Sequence, residues 1–352
     1  MTERLDTVVI GAGQAGLAAG AYLARYGREF VIFDAHARIG ESWRRRWDSL
    51  LLFTPAAISG LPGLPFPAPP RAFPGKEQMA DYLQTYAETF NLPVRLDTCV
   101  RELTRRDGRF LLDLEDGSLE ADSVIVATGA LRAPRRPAFA DELDSAIQQF
   151  TVADYRNSTQ VAPGPVLVVG AGNSGVEIAT ELAATHLVWL AGRHPGHFPF
   201  NPTGPVFWRL AHHLLTVDSP AGRWLHAATN DKGTPVIRSS PRKLAKAGIE
   251  RLPRVEGHSH GLPLLADGRT LRPAAIVWAT GFGPEYDWIN LPAFDQSGTP
   301  RHTRGVSVIP GLYFVGLPFQ YSFTSELGCG VGRDAEYVVR HITGHVGSEV
   351  TV

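Results

Sequence analysis

The sequence predicts an α/β fold with two Rossmann-like domains, one inserted into the other. Three observations lead there. Gly11-Ala12-Gly13-Gln14-Ala15-Gly16 and Gly170-Ala171-Gly172-Asn173-Ser174-Gly175 are glycine fingerprints of one kind, about 160 residues apart. Each follows a short apolar, β-branched run (Thr7 to Ile10, Val166 to Val169) and precedes a stretch of helical periodicity. A second repeat, Val126-Ala127-Thr128-Gly129 and Trp278-Ala279-Thr280-Gly281, recurs at nearly the same spacing, as an internal duplication would give. In a chain with 36 glycines a single GxGxxG carries little weight, but two in the strand–turn–helix setting carry much.

Along the chain, the first fingerprint opens a helix from about 13 to 26, with Gly27 as a plausible C-cap. The strand Phe30 to Phe33 follows and ends in Asp34-Ala35. An acid there, about 20 residues past the glycines, suits hydrogen bonds to an adenosine ribose and repels a 2′-phosphate, so this site reads as FAD or NAD. From Pro55 to Pro74 seven prolines forbid regular structure, while Phe66 and Phe73 favour packing; an ordered loop over a site is expected. A helix from about 76 to 90 and strands at 94–100 and 110–114, with a turn at Asp107-Gly108, come next. The run Asp122 to Gly129 is a buried strand ending in a small-residue turn.

After the second fingerprint, the strand Leu187 to Leu190 runs into Ala191-Gly192-Arg193-His194. Arg193 stands where the acid stood in the first unit, and a guanidinium suits a phosphate, so this site leans toward NADPH. The stretch near 196–247 mixes aromatic and aliphatic residues with Pro and His and reads as a helical excursion with an apolar face. The expected division is 1–157 with 280–352 for the first domain and 158–279 for the inserted one. Two dinucleotide sites in one chain imply electron transfer between two cofactors.

Composition narrows the class. The net charge of −1, with no basic block beyond Arg44-Arg45-Arg46, speaks against nucleic acid as a partner. The two cysteines, Cys99 and Cys329, form no CxxC, which excludes a thioredoxin-reductase-type dithiol and fits a reducing cytoplasm. No apolar run is long enough to span a bilayer, and the first strand starts too early for a secretory signal. His212-His213 and His258-Ser259-His260 lack a third ligand nearby, so no metal is expected. A small-molecule substrate, a cytoplasmic location and a homodimer are the default expectations.

Taken together, GAGQAG, Asp34, Gly40-x-Ser42-Trp43, Leu52-Phe53-Thr54-Pro55, VATG, GAGNSG, WATGF, Gly311 to Gly316 and the tail Gly330 to Glu336 resemble the class B flavoprotein monooxygenases, in particular the small bacterial flavin-containing monooxygenases and their YUCCA-like relatives. The resemblance covers nearly the whole chain. It implies FAD on the first domain and NADPH, with NADH as a second option, on the inserted one. It also implies a C4a-(hydro)peroxyflavin formed with O2, which oxygenates sulfides, amines or ketones. Residue by residue, it implies that Gly11, Gly13, Gln14, Ala15 and Gly16 hold the FAD pyrophosphate, with Asp34 and Ala35 at the ribose. It places Gly40, Ser42 and Trp43 along the flavin, Val100 at the adenine, Ala127, Thr128 and Gly129 over FAD, and Ser325 ahead of the last helix. Gly170, Gly172, Asn173, Ser174, Gly175, Arg193, His194, Ala279, Thr280 and Gly281 would serve the nicotinamide coenzyme, and Phe53 and Gln320 would stand at the reacting centre.

Two departures from the family pattern matter. In the linker signature F-x-G-x-x-x-H-x-x-x-[YF], Tyr155 closes the run, but Thr151, Ile147 and Ser145 occupy the His, Gly and Phe positions. Phe53 stands where the family places an asparagine beside the flavin, and it offers no donor. A weaker hold on the peroxide would favour an NAD(P)H oxidase or diaphorase-type reaction that releases hydrogen peroxide. A flavin-binding regulator is the reading from outside the enzymes.

Overall fold

In the computed structural model, residues 3–129, 133–193, 196, 204–230, 235–283 and 285–344 are described. The chain opens with strand β1 (Glu3–Ile10), helix α1 (Gln14–Arg25) and strand β2 (Phe30–Phe33). The short helix α2 (Glu41–Arg44), helix α3 (Lys76–Thr89) and strands β3 (Val94–Arg95), β4 (Val100–Arg106), β5 (Arg109–Leu114) and β6 (Gly117–Val126) follow. Strand β7 (Ala133–Pro134) leaves this unit, and β8 (Gln148–Thr151), β9 (Val166–Val169), α4 (Asn173–Leu182) and β10 (Val188–Ala191) build the next. Helices α5 (Pro205–Leu214), α6 (Pro220–Asn230) and α7 (Pro241–Lys246) precede β11 (Glu250–Leu252), the hairpin β12 (Val255–Ser259) and β13 (Leu262–Leu265), and β14 (Ala275–Trp278). The chain returns through β15 (Phe282–Gly283) to β16 (His302–Thr303), β17 (Val306–Ser307), β18 (Leu312–Phe314) and α8 (Gly328–Ile342).

Two sheets result. The first runs β16-β17-β18-β6-β1-β2-β3, with β5 paired to β6 and β4 to β5; the second runs β11-β10-β9-β14-β8 and is parallel throughout. In each, the strand that leads into a fingerprint is central. One neighbour (β2 or β10) leads to the Asp34 or Arg193 position, and the other (β6 or β14) ends in Ala-Thr-Gly. The duplication read in the sequence is thus a duplication of β-α-β topology. The crossing chain segments lie side by side, since β7 and β15 pair antiparallel.

Membership of the second sheet starts earlier than the expected boundary at 158, because β8 pairs in parallel with β14. A four-residue edge strand, Gln-Gln-Phe-Thr, is too short and too polar to announce itself by periodicity. The expected helical excursion contains α5, α6 and α7, with residues 197–203 and 231–234 outside the described set.

The proline-rich loop is ordered by aromatic hydroxyls. Tyr82 Oη accepts from the Leu61 amide (2.6 Å) and donates to Leu64 O (2.7 Å), and Tyr86 Oη donates to Pro62 O (2.7 Å). These bonds satisfy backbone groups that prolines leave without a ladder. Leu61 and Phe66 are buried in the core that α1, α3 and α8 share. Trp47 and Leu50, from the first domain's chain, are buried in the core of the inserted domain with Val168 and Val176. The stretch from 47 to 53 is therefore the seat on which the second domain rests.

Candidate functional site

Both fingerprints fold into the same cradle. Gly11 N donates to Phe33 O (2.7 Å) and Gly170 N to Ala191 O (2.9 Å), while Ala127 N reaches Ile10 O (2.8 Å) and Ala279 N reaches Val169 O (2.7 Å). A Cβ on Gly11 would lie 2.6 Å from Ala127 O, and one on Gly170 would press into Ala279 O. A Cβ on Gly16 or Gly175 would collide with the carbonyl oxygen of Gly11 or Gly170. Around a Cβ on Gly13 or Gly172 there is nothing within 4 Å. The outer glycines thus serve close packing, and the middle one faces open space at the mouth of the turn. Gly13 and Gly172 are also the N-caps of α1 and α4, and neither helix has a side-chain cap there. Uncapped N–H groups at the positive end of a helix suit an anion. The buried hydroxyl of Thr128, in the strand-end turn beside the first cradle, has no hydrogen-bond partner. These features fit a dinucleotide pyrophosphate on each cradle.

Asp34 lies at the end of β2 and is largely buried. Its Oδ2 accepts from Ala12 N (2.7 Å), and its Oδ1 pairs with His36 N (2.9 Å) and His36 Nδ1 (2.7 Å). Burial opposes ionisation, but the hydrogen bonds from His36 and Ala12 outweigh it and hold the carboxyl below its usual range. An ionised acid is therefore held beside the first cradle, with Ala35 exposed after it. Thr98 N donates to Asp34 O (2.9 Å), which brings Val100, the first residue of β4, to the same strand end.

Gly40 caps α2 at φ 84°, and a Cβ there would meet Ala80 at 2.7 Å, so glycine is what lets α2 sit against α3. The close approach turns Trp43 toward the cores of both domains and leaves Ser42 exposed. Phe53 packs beside Trp208, Phe319 and Phe323, with Phe207 and Leu215 adjoining. This apolar wall is built by two chain segments that pair: Val217 N donates to Tyr321 O (2.8 Å), Phe323 N donates to Leu215 O (2.9 Å), and Trp208 stacks on Phe323 with ring centroids 6.0 Å apart.

Four of the expected site residues hold the protein's own backbone. Gln320 is 3% exposed, and its Nε2 donates to Phe314 O (2.9 Å) and Arg304 O (3.3 Å) while its Oε1 accepts from Leu317 N (3.2 Å). Both amide protons are spent on backbone carbonyls, so Gln320 braces the 314–320 turn. Ser325 is fully buried, and its Oγ takes the N–H groups of Tyr321 (3.0 Å) and Ser322 (2.9 Å); it caps the loop ahead of α8. Gln14 Nε2 donates to Glu326 O and Asn173 Oδ1 accepts from Ile237 N (3.0 Å), so the two side chains after the middle glycines tie remote loops to the cradles. The fingerprint pattern fixes where these amides sit but not which distant backbone reaches them.

On the second cradle, Ser174 opens α4 beside Asn173, and Thr280 and Gly281 are exposed, with Thr280 Oγ1 donating to Arg135 O. Arg193 is exposed just past β10; His194 lies outside the described residues. Sequence reasoning missed Arg251. From β11 its Nη2 donates to Gly192 O (2.7 Å), and its buried Nη1 has no partner. Arg251 lies within β11, the parallel neighbour of the β10 strand that Arg193 follows, and only the strand order brings the two near each other. Two of the histidines named in the sequence have protein partners: His258 Nε2 lies 3.0 Å from Glu142 Oε2, and His212 Nδ1 lies 3.0 Å from Thr324 Oγ1. Among the described residues no helix is long and apolar enough to cross a membrane.

Comparison with known proteins agrees with this geometry. A family model described as pyridine nucleotide-disulphide oxidoreductase matches residues 8–199. A CzcO-like oxidoreductase of Geobacillus kaustophilus is 39% identical over 98% of this chain and 100% of its own. A probable indole-3-pyruvate monooxygenase of Arabidopsis thaliana, YUCCA4, is 31% identical over 96% of this chain and 89% of its own. Among solved structures, a flavin-containing monooxygenase from Stenotrophomonas maltophilia superposes with a TM-score of 0.82 at 27% identity, covering 98% of this chain and 99% of that one. The chain belongs to the pyridine nucleotide-disulphide oxidoreductase family and, within it, to the class B flavoprotein monooxygenases, the flavin-containing monooxygenases and their YUCCA relatives.

Proposed function

We propose that this chain binds FAD on the first cradle and NADPH on the second, and that it transfers one oxygen atom of O2 to a small sulfide, amine or ketone. The observation that carries this reading is the pair of matched cradles, each with an open middle glycine at an uncapped helix N-terminus. FAD, when bound, supplies the redox chemistry, accepting a hydride and activating O2 as the C4a-(hydro)peroxyflavin. The protein's own residues bind and shelter. Asp34 would hold the ribose of FAD, and Arg193 with Arg251 would hold the 2′-phosphate of NADPH. The wall of Phe53, Trp208, Phe319 and Phe323 would keep water from the reacting centre. A ketone is favoured by the similarity to the probable indole-3-pyruvate monooxygenase YUCCA4, since indole-3-pyruvate is an α-keto acid.

The test is anaerobic reduction of the purified protein with NADPH and with NADH, followed by mixing with O2 in a stopped-flow spectrometer. Thioanisole, cyclohexanone and indole-3-pyruvate are then offered and the products assayed. A transient absorbing between the oxidised and reduced flavin bands, with oxygenated product, supports the monooxygenase. Direct return to oxidised flavin with stoichiometric peroxide and no product sinks it. That outcome would favour the oxidase or diaphorase reading, whose specific support is Phe53, a ring that offers no hydrogen-bond donor.

Coenzyme choice gives a further expectation. A charge-assisted hydrogen bond is worth about 1.5 kcal/mol or more, so Arg193→Ala and Arg251→Ala should each raise the KM for NADPH about tenfold. The KM for NADH should stay within about a factor of two, since NADH has no phosphate to lose contact with. Steady-state kinetics with both coenzymes decides it, and equal effects on the two would remove these residues from the 2′-phosphate site.

A further inference from the structure

Residues 235–238 form a strap between the two domains, anchored along its length on both. Asn173 holds both sides of its start: Oδ1 accepts from Ile237 N (3.0 Å), and Nδ2 donates to Pro235 O (3.3 Å). Val236 is buried in the inserted domain's core, and Ile237 is buried in the aromatic wall beside Phe53. Arg238 ends the strap. Its Nη2 and Nε reach Glu177 Oε1 (2.7 and 3.2 Å), its Nη1 donates to Leu52 O (3.0 Å), and its Nη2 also donates to Leu51 O (2.5 Å). The guanidinium carbon lies 5.6 Å from the centroid of the Phe53 ring and 5.8 Å from that of Phe73. Asn173 and Glu177 are four residues apart on α4, so one helical face holds both ends of the strap.

We propose that Arg238 is a positioning residue that clasps the inserted domain to the 51–53 loop and thereby sets how productively the nicotinamide is presented to the flavin. A planar guanidinium presents five donors in a fixed fork, so it can serve a carboxylate on one domain and two carbonyls on the other at once. The clasp is continuous with the second cradle, because the same helix that opens at Gly172 carries Glu177. The Arg238–Glu177 pair, about one-fifth exposed, is costly to break one partner at a time, so the informative variant neutralises both. This inference rests on the proposed function for its kinetic consequence, but not for the clasp itself.

The test compares the wild-type holoprotein with Arg238→Met and with the paired variant Arg238→Met/Glu177→Gln. Hydrogen exchange read by mass spectrometry should show peptides covering 47–54 and 236–239 losing protection together, with α1 unchanged. In anaerobic stopped flow the limiting rate of flavin reduction by NADPH should fall about ten- to a hundredfold, as misplacement of a reacting pair by about an ångström does. Reoxidation by O2 after chemical reduction with dithionite should keep its wild-type rate. Unchanged exchange at 47–54 in the paired variant overturns the clasp. A paired variant reduced as fast as wild type, or one in which reoxidation slows as much as reduction, overturns the positioning role. If the wild-type protein itself is not reduced by NADPH, the proposed function fails, and the exchange experiment still decides the clasp.

Discussion

Gly16→Ala is expected to purify with little or no flavin, whereas Gly175→Ala is expected to keep its flavin and lose reduction by NADPH. In both positions the new methyl would fall well inside van der Waals contact with a backbone carbonyl, that of Gly11 or Gly170. A flexible side chain could move aside, but here the obstacle is the fingerprint's own first glycine, held by hydrogen bonds to β2 or β10. Relief requires the helix to slide away from the strand, which opens the cradle and misdirects the N–H groups at the helix end. Backbone overpacking costs about 1–3 kcal/mol or more, and displaced N–H donors cost a further hydrogen bond or two to the pyrophosphate. Loss of affinity of about a hundredfold is expected at the site concerned. Gly20→Ala is the control: it lies on α1, and the methyl would meet the movable end of Ile32, 2.6 Å away. Flavin absorbance after purification and the rate of reduction by NADPH measure the three variants. A yellow Gly16→Ala protein with normal flavin content, or a colourless Gly175→Ala, would show that the two cradles are wrongly assigned.

Asp334→Asn is expected to gain stability relative to wild type as pH rises from 4 to 7, by an amount on the order of 3 kcal/mol. Asp334 is completely buried in α8, and neither carboxylate oxygen has a hydrogen-bond partner. Desolvation pushes its pKa up to about 6, with Ser325, Arg333 and Arg304 pulling only partly the other way. The folded carboxyl therefore keeps its proton over a range in which the unfolded one, near 3.8, has lost it. The unfolded state then binds fewer protons, so stability falls as pH rises between those values. Asparagine has no proton to lose, and the difference between the two proteins should grow over that range and then level off. His212 titrates in the opposite sense: burial, Arg333 and His213 lower it to about 4, so its neutral form costs stability as pH falls from 6.5. It is common to both proteins and cancels in the comparison. Denaturant unfolding at pH 4.5 and 7.5 provides the measurement. A difference between variant and wild type that does not change with pH would mean that Asp334 is ionised, and compensated, throughout.

The strongest sequence signals were those that act through the backbone. The glycines at 11, 16, 170 and 175 announce their conformation because a Cβ there would run into a neighbouring carbonyl where a strand end and a helix start converge, while those at 13 and 172 leave the mouth of the turn open. Asp34 was legible because its distance from the fingerprint is set by one helix and one strand. Side-chain partners across long separations were not legible. Gln14 and Asn173 read as cofactor contacts and also hold Glu326 and Ile237, 312 and 64 residues away. Gln320 read as a reacting group and spends its amide on the backbone of its own turn. Arg251 and Arg238 carried no local pattern at all.

What the sequence determined by itself is the duplicated β-α-β frame, the two cradles and the family, all of which follow from short-range spacing of glycines and apolar runs. The tertiary structure decided the rest: that the second sheet begins at β8, that residues 47–53 seat the inserted domain, and that Arg238 joins Glu177 to the carbonyls beside Phe53. The physical reason is the same in each case. A turn is specified by the conformations open to a few adjacent residues, whereas a hydrogen bond between distant side chains and backbones depends on strand order and domain docking, which no window of sequence contains.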